Sequence, residues 1–194
     1  MGEPRAIHAH AIDDLRFIRD TMTRAGQFSA IPGWGGVAMG VTALLASAVA
    51  GPAVHSERWL AVWLTEAVFA VVIALVGMVR KARRSSAPLL AMPTQRFALA
   101  LLPPLAAGAV LTAVFVANGL TPRLPGCWLL LYGTSGATGG ALPVRVVPVM
   151  GVLFMALGVA SFVAPPGWGN IFMAAGFGGL HIVFGAVIAR HYGG

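Results

Sequence analysis

The chain has 194 residues, of which 58% are hydrophobic and only 10% are charged. A soluble domain carries about 25% charged residues, because polar groups must cover its surface. Together with a mean hydropathy of +0.83, this composition excludes an ordinary soluble globule and predicts a lipid bilayer around most of the chain. The net charge of +7 is therefore interpreted through membrane topology, and no nucleic-acid partner is expected. Cys127 is the single cysteine, which excludes an intrachain disulfide.

Residues 1–29 are predicted to form an amphipathic helix on the cytoplasmic side of the membrane. Apolar residues recur there at steps of three and four, a spacing that places them on one helical face. They are Ala11, Leu15, Ile18, Met22 and Ala25. We expect this helix to lie in the plane of the inner leaflet or to pack on the bundle. Docking to a partner protein is the alternative.

Residues 30–194 contain six apolar stretches that approach the roughly 20 residues needed to cross a bilayer. The sequence thus predicts an all-α integral membrane bundle of about six transmembrane helices. The spans cover about residues 31–50, 59–79, 97–117, 127–142, 146–163 and 168–189. Pro103 and Pro104 predict a kink in the third span. Glycines in the second half of the fourth span predict a distorted or partly unwound helix.

The distribution of basic residues predicts that both termini lie in the cytoplasm. Lys and Arg accumulate in the cytoplasmic loops of membrane proteins. With six spans and a cytoplasmic N-terminus, 11 of the 13 basic residues fall on the inner side, and only Arg58 and Arg123 fall on the outer side. Removing the fourth span would move Arg145 and everything after it to the opposite side. The expected location is the bacterial cytoplasmic (inner) membrane.

Two ionisable residues lie inside the predicted spans, where such groups are costly and become candidates for function. Glu66 is about 10 Å below the outer end of its span, and His181 is about 20 Å below the same side. This difference in depth is too large for a direct hydrogen bond. Glu66 is interpreted either as a carboxyl group hydrogen-bonded to a neighbouring helix or as a binding group for a cation or proton. His181 marks either a packed interface with one interhelical hydrogen bond or a space for a flat ligand.

No cofactor and no metal site are predicted. Haem sites in membrane helices place their ligands on facing helices, and no second histidine lies in a span. Met150, Met155 and Met173 are the remaining axial candidates, although methionine is commoner as core filler. Haem or a quinone at His181 therefore stays a secondary hypothesis. The chain has no phosphate-binding glycine loop, His-Glu-x-x-His pattern or serine nucleophile turn, so we expect no enzyme.

Small and hydroxyl-bearing residues mark two further features. Thr134, Ser135 and Thr138 place hydroxyls inside the fourth span, where irregular backbone is stable only if it is buried or lines a wet cavity. This pattern is typical of a transport path or of close helix packing. Close packing is predicted at six glycines, namely Gly36, Gly40, Gly136, Gly140, Gly178 and Gly185. The sequence Pro-Gly-Trp-Gly opens a span twice, at 32–35 and 166–169.

Several segments resemble a family of bacterial six-span membrane proteins of unassigned function. They are Asp-Leu-Arg-Phe-Ile-Arg-Asp-Thr-Met at 14–22, Pro-Gly-Trp-Gly-Gly at 32–36, Trp-Leu-Leu-Leu-Tyr-Gly at 128–133, Val-Arg-Val-Val-Pro-Val-Met-Gly at 144–151 and Gly-Gly-Leu-His-Ile-Val-Phe-Gly at 178–185. The resemblance extends over most of the chain. It implies a multi-pass membrane protein and supplies no catalytic residues.

Three hypotheses about function follow from the sequence. The first is a non-enzymatic accessory or sensor-like subunit that acts as a homo-oligomer or with a membrane-protein partner. The second is a small transporter or channel that uses Glu66 and the Gly/Ser/Thr-rich fourth span. The third is a membrane redox protein that binds a quinone or haem at His181. A regular, dry fourth span would remove most of the support for transport.

Overall fold

The computed structural model describes residues 32–84, 92–138, 144 and 146–192. Within these residues the chain forms helices and no strand, which confirms the all-α class. The six helices of the described part are α1 Gly33–Ala50, α2 Glu57–Arg84, α3 Met92–Ala117, α4 Leu124–Thr138, α5 Val146–Val163 and α6 Gly169–His191. The 3₁₀ turns Thr121–Arg123 and Pro166–Trp168 lead into α4 and α6.

Five of these helices are long and apolar enough to cross a membrane, namely α1, α2, α3, α5 and α6. α4 has 15 residues in the described part, which corresponds to about 22 Å at 1.5 Å per residue. The remainder of the predicted fourth span, 139–142 with Gly140, lies outside the described residues. The helix predicted at 1–29 also lies outside them.

Among the described residues, the irregular backbone lies in α6 and not in α4, where the sequence predicted it. α4 is a regular α-helix up to Thr138, because α5 packs directly on its glycines. A Cβ added at Gly133 would lie 2.6 Å from the carbonyl oxygen of Gly151. The irregularity is in α6, where Ala174–Leu180 is π-helical. α3 continues through both of its prolines without interruption.

Two antiparallel helix pairs, α4 with α5 and α1 with α6, make the closest contacts in the bundle. Between α1 and α6 the contacts run from Gly33 against Ala189 to Gly40 against Gly178. A Cβ added at Gly40 would lie 2.6 Å from the carbonyl oxygen of Gly178. Small residues at such positions let the two backbones touch, which is the main source of helix association in lipid.

The other two helices lie at the periphery, α2 against α1 and α3 against α4. Both expose long apolar side chains, such as Val68 at 65% and Leu99 at 71%. A water-soluble protein would not expose so much contiguous apolar surface. These faces are suited to contact with lipid.

The two ends of the bundle differ in charge. At one end, Lys81 Nζ near the end of α2 donates a hydrogen bond to the carbonyl oxygen of Tyr192 at 3.1 Å, and Val144 packs against Ile188. At the other end, Trp59 of α2 stacks on Trp128 of α4 with ring centroids 5.6 Å apart. The first end carries a basic cluster, namely Arg80, Lys81, Arg83, Arg84 and Arg190. The second end carries Arg58 and Arg123.

Candidate functional site

A buried asparagine joins three helices at the tryptophan-rich end. Asn170, at the start of α6, accepts hydrogen bonds through Oδ1 from the indole Nε1 groups of Trp59 and Trp63, both at 3.0 Å. Its Nδ2 donates to the carbonyl oxygen of Ser47 at 3.0 Å and to Ser47 Oγ at 2.9 Å. All four bonds of the amide are used to hold α1, α2 and α6 together. Asn170 is not among the residues predicted from the sequence, although an Asn near one end of an apolar span is itself a signal.

His181 is enclosed by aromatic side chains and uses both ring nitrogens. It is 6% exposed. Its Nδ1 lies 3.1 Å from the carbonyl oxygen of Phe177, and because a carbonyl can only accept, Nδ1 carries the proton. Nε2 then accepts the hydroxyl proton of Tyr132 at 2.7 Å. Phe154 completes the surroundings with its ring centroid 5.4 Å from the imidazole.

These contacts bear on the hypothesis of a flat ligand at His181. An imidazole that donates through Nδ1 and accepts through Nε2 has no free lone pair for a metal. Gly178 and Gly185 pack closely against α1, as predicted for these glycines, and do not clear space for a flat ligand. A Cβ at Gly178 would lie 2.8 Å from Leu44 Cγ, and one at Gly185 would lie 2.6 Å from the backbone nitrogen of Val37. The arrangement provides interhelical packing around one hydrogen-bonded pair.

The π-helical segment explains how one helix presents these two polar residues in different directions. Asn170 and His181 are 11 residues apart, about three turns of a regular α-helix, so they would share a face. The wider turns of Ala174–Leu180 rotate the second residue away from the first. Asn170 therefore reaches α1 and α2, while His181 reaches α4. π-helical turns inside α-helices occur frequently at functional sites.

We expect Tyr132 and His181 to be coupled energetically. In a double-mutant cycle of Tyr132→Phe and His181→Phe, the coupling energy should be about 0.6 kcal/mol and no more than about 1.7 kcal/mol, the range found for hydrogen bonds between membrane helices. Reversible unfolding in mixed micelles measures it. Tyr192→Phe is the matched control, because the Tyr192 side chain makes no hydrogen bond with the described residues. A coupling energy of zero would contradict the assigned bond.

The hydroxyls of α4 are satisfied within α4 itself. Thr134 Oγ1 donates to the carbonyl oxygen of Leu130 at 2.8 Å, and Thr138 Oγ1 donates to that of Thr134 at 2.8 Å. Ser135 Oγ donates to the carbonyl oxygen of Tyr132 at 2.6 Å. Beside them, a Cβ added at Gly136 would lie 3.1 Å from Gly151 Cα. In the described part of α4, the glycines thus pack on α5 and each of the three hydroxyls donates a hydrogen bond within the helix.

Glu66 is a buried residue whose carboxyl group makes one hydrogen bond with the described residues. It is 7% exposed, and its Oε1 lies 2.7 Å from Thr42 Oγ1 on α1. That hydroxyl also lies 2.9 Å from the carbonyl oxygen of Met39 and 3.2 Å from that of Ala38. Since a hydroxyl has one proton, Thr42 can donate either to Glu66 or to its own helix. The pair therefore accommodates a carboxylate that accepts from Thr42 and equally a carboxylic acid that donates to it.

Glu66 lies in a lateral groove between α1 and α2, which we call the Glu66 groove. Its cavity volume is about 470 Å³, and Thr42 and Thr65 are its other polar residues. The walls are Leu45, Ala46, Val49, Ala61, Val62 and Phe69. Several of these wall residues belong to the exposed outer surface of the helices, including Leu45 at 62%. The groove consequently opens sideways, toward the surface that lipid would cover.

The two ionisable residues picked out from the sequence are not brought together. Glu66 bonds Thr42, whereas His181 bonds Tyr132. The route from α2 to His181 passes through the rings of Trp63 and Phe177, whose centroids are 6.3 Å apart. No hydrogen bond of the described residues links the two sites into a proton relay.

No family model, curated protein or solved structure matches the chain.

Proposed function

We propose that the chain is a non-enzymatic, sensor-like membrane protein that takes up a membrane-dissolved amphiphile in the Glu66 groove. The observation that supports this most strongly is the contrast between Glu66 and the other buried polar residues. Asn170 and His181 use every hydrogen-bonding atom within the bundle. Glu66 alone among these three combines a buried carboxyl with an apolar groove that is open sideways. The groove has mostly apolar walls and few polar groups, a composition that is common at small-molecule sites.

The proposal includes a six-span topology in the bacterial cytoplasmic membrane, with both termini in the cytoplasm and residues 1–29 as an in-plane helix. Two observations support it. The basic cluster at the ends of α2 and α6 lies opposite to Arg58 and Arg123, as expected from the cytoplasmic accumulation of basic residues. In addition, the 15 described residues of α4 extend about 22 Å, most of the hydrocarbon thickness of about 30 Å. The family resemblance noted from the sequence fits the same topology.

A sensor-like or accessory role fits the bundle better than transport or redox chemistry. The α4 hydroxyls bond within their own helix, and His181 has both nitrogens occupied. A groove on the outer surface of a tightly packed bundle can report a ligand by changing the packing of α2 on α1. A second copy in a homo-oligomer, or a partner membrane protein, would respond to that change in helix packing.

The proposal is tested by photolabelling in lipid nanodiscs with a panel of alkyl diazirine amphiphiles that carry neutral, anionic or cationic headgroups. We expect at least one of them to label the groove walls saturably, as mapped by peptide mass spectrometry. Ala61→Phe, which fills the groove, should abolish this labelling. Ala67→Phe is the matched control, because Ala67 lies on the exposed side of α2 outside the groove. Labelling that does not saturate and that spreads evenly over α2 and α3 would contradict the proposal.

A further inference from the structure

We infer that the occupant of the Glu66 groove is a lipophilic ammonium ion, that is, an amphiphile with one cationic nitrogen and no anionic group. This inference rests on the proposed function, because it names the chemistry of the ligand bound at that site. Three observations support it: the free oxygen of the Glu66 carboxyl, the charges near that oxygen and the residues of the groove walls.

One oxygen of the Glu66 carboxyl is unpartnered and faces the groove. Oε1 bonds Thr42, whereas Oε2 makes no hydrogen bond with the described residues. No buried side-chain oxygen or nitrogen of the described residues is left both sealed and unsatisfied, so Oε2 must be open to the groove. Glu66 is only 7% exposed, yet its Oε2 is a free hydrogen-bond acceptor for a ligand in the groove.

Among the described residues, the helices packed around Glu66 bring no cation to this oxygen. α1 contains no charged residue. On α2, Arg58 is eight residues before Glu66, about 12 Å along the helix axis, and it donates to the carbonyl oxygen of Val49. On α6, His181 bonds Tyr132. The carboxylic acid form of Glu66 needs no counter-charge, whereas the carboxylate form does at membrane depth. A cationic ligand in the groove is the group that would provide it and favour the carboxylate.

The walls determine the rest of the ligand. Leu45, Val49 and Phe69 offer hydrocarbon and one aromatic face, and an aromatic face favours a nearby ammonium. Thr65 is occupied, because its hydroxyl donates to the carbonyl oxygen of Ala61 at 2.8 Å. Arg58, which bonds the wall residue Val49, is about 12 Å along the helix axis from Glu66. A phosphate or carboxylate beside an ammonium at Glu66 would therefore find no donor there. The chemistry that fits is an alkyl or aryl chain along the walls with an ammonium at the carboxyl.

The test compares two diazirine probes on the unmodified protein in nanodiscs, an alkyl trimethylammonium and its neutral tert-butyl isostere. We expect the cationic probe to label the groove with an affinity higher by about tenfold or more, as for a close charge pair. Glu66→Gln should bring the affinity for the cationic probe down to that for the neutral one, while leaving the labelling by the neutral probe unchanged. Thr65→Val, which changes a groove hydroxyl without changing charge, should preserve the preference.

Equal affinities for the two probes on the unmodified protein would overturn the inference, and this comparison does not depend on the folding of any variant. If the neutral probe still labels the groove saturably in that case, the proposed function stands and only the ligand chemistry is wrong. If neither probe labels the groove saturably, and the anionic probe of the panel also fails, the proposed function itself is wrong.

Discussion

Replacing Gly151 by alanine is expected to destabilise the protein by about 1–3 kcal/mol, the usual cost of forcing extra volume into a packed contact. Gly151 lies where α5 touches α4. An added Cβ would meet the backbone of Ala137, the carbonyl oxygen of Gly133 at 2.6 Å and the carbonyl carbon of Gly136 at 2.7 Å. Backbone atoms cannot move aside as a flexible side chain can, so the two helices would have to separate.

Unfolding of the Gly151→Ala variant in mixed micelles, followed by circular dichroism, measures this effect. Gly179→Ala is the matched control, because a Cβ at Gly179 would meet nothing within 4 Å. In the control, the gain in helix propensity should make the change neutral or slightly stabilising. Equal stability of the two variants would show that the contact between α4 and α5 is looser than described here.

Replacing Asn170 by alanine is expected to cost about 2–3 kcal/mol, since four hydrogen bonds between helices are lost at roughly 0.6 kcal/mol each and their partners stay buried. The indole N–H groups of Trp59 and Trp63 would have no acceptor, and Ser47 would lose its donor. Trp59 is fully buried, so it has no access to water as a substitute. The fluorescence spectrum of the tryptophans should shift together with the loss of stability.

Two further variants separate the parts of the Asn170 interaction. Asn170→Asp keeps an acceptor for both indoles but cannot donate to Ser47, so its loss of stability should be intermediate. Asn118→Ala is the control for removal of an amide, because Asn118 is exposed and donates only to the carbonyl oxygen of Val114. A loss as large for Asn118→Ala as for Asn170→Ala would contradict the assigned role of Asn170.

The helices could be predicted from the sequence because hydropathy and length act locally. A run of about 20 apolar residues satisfies its backbone hydrogen bonds only as a helix when lipid surrounds it. Glu66 and His181 stood out for the same reason, since an ionisable group in such a run is rare. Spacing also places Gly178 and Gly185 on one face of α6.

The partners of those residues could not be predicted. Spacing along one helix shows which residues share a face, but it does not show which other helix meets that face. Tyr132 is 49 residues from His181, and Trp59 is 111 residues from Asn170. Propensity is also local and cannot include the packing of α5 on Gly133. It therefore did not predict that α4 is regular from Leu124 to Thr138 or that α6 contains a π-helical segment. The Glu66 groove depends on the packing geometry of α2 against α1. The residue pattern of either helix alone does not determine that geometry.

The most direct measurement of lateral access is the reaction of Glu66 with carbodiimides of different solubility. In nanodiscs, a lipid-soluble carbodiimide should convert the Glu66 carboxyl into an N-acylurea, whereas a water-soluble one should not. Glu57, which is exposed at the start of α2, is the internal control for the water-soluble reagent. Ala61→Phe should slow the reaction of Glu66 with the lipid-soluble reagent, and Ala67→Phe should not. Modification of Glu66 by the water-soluble reagent at the rate of Glu57 would contradict a groove that opens to lipid.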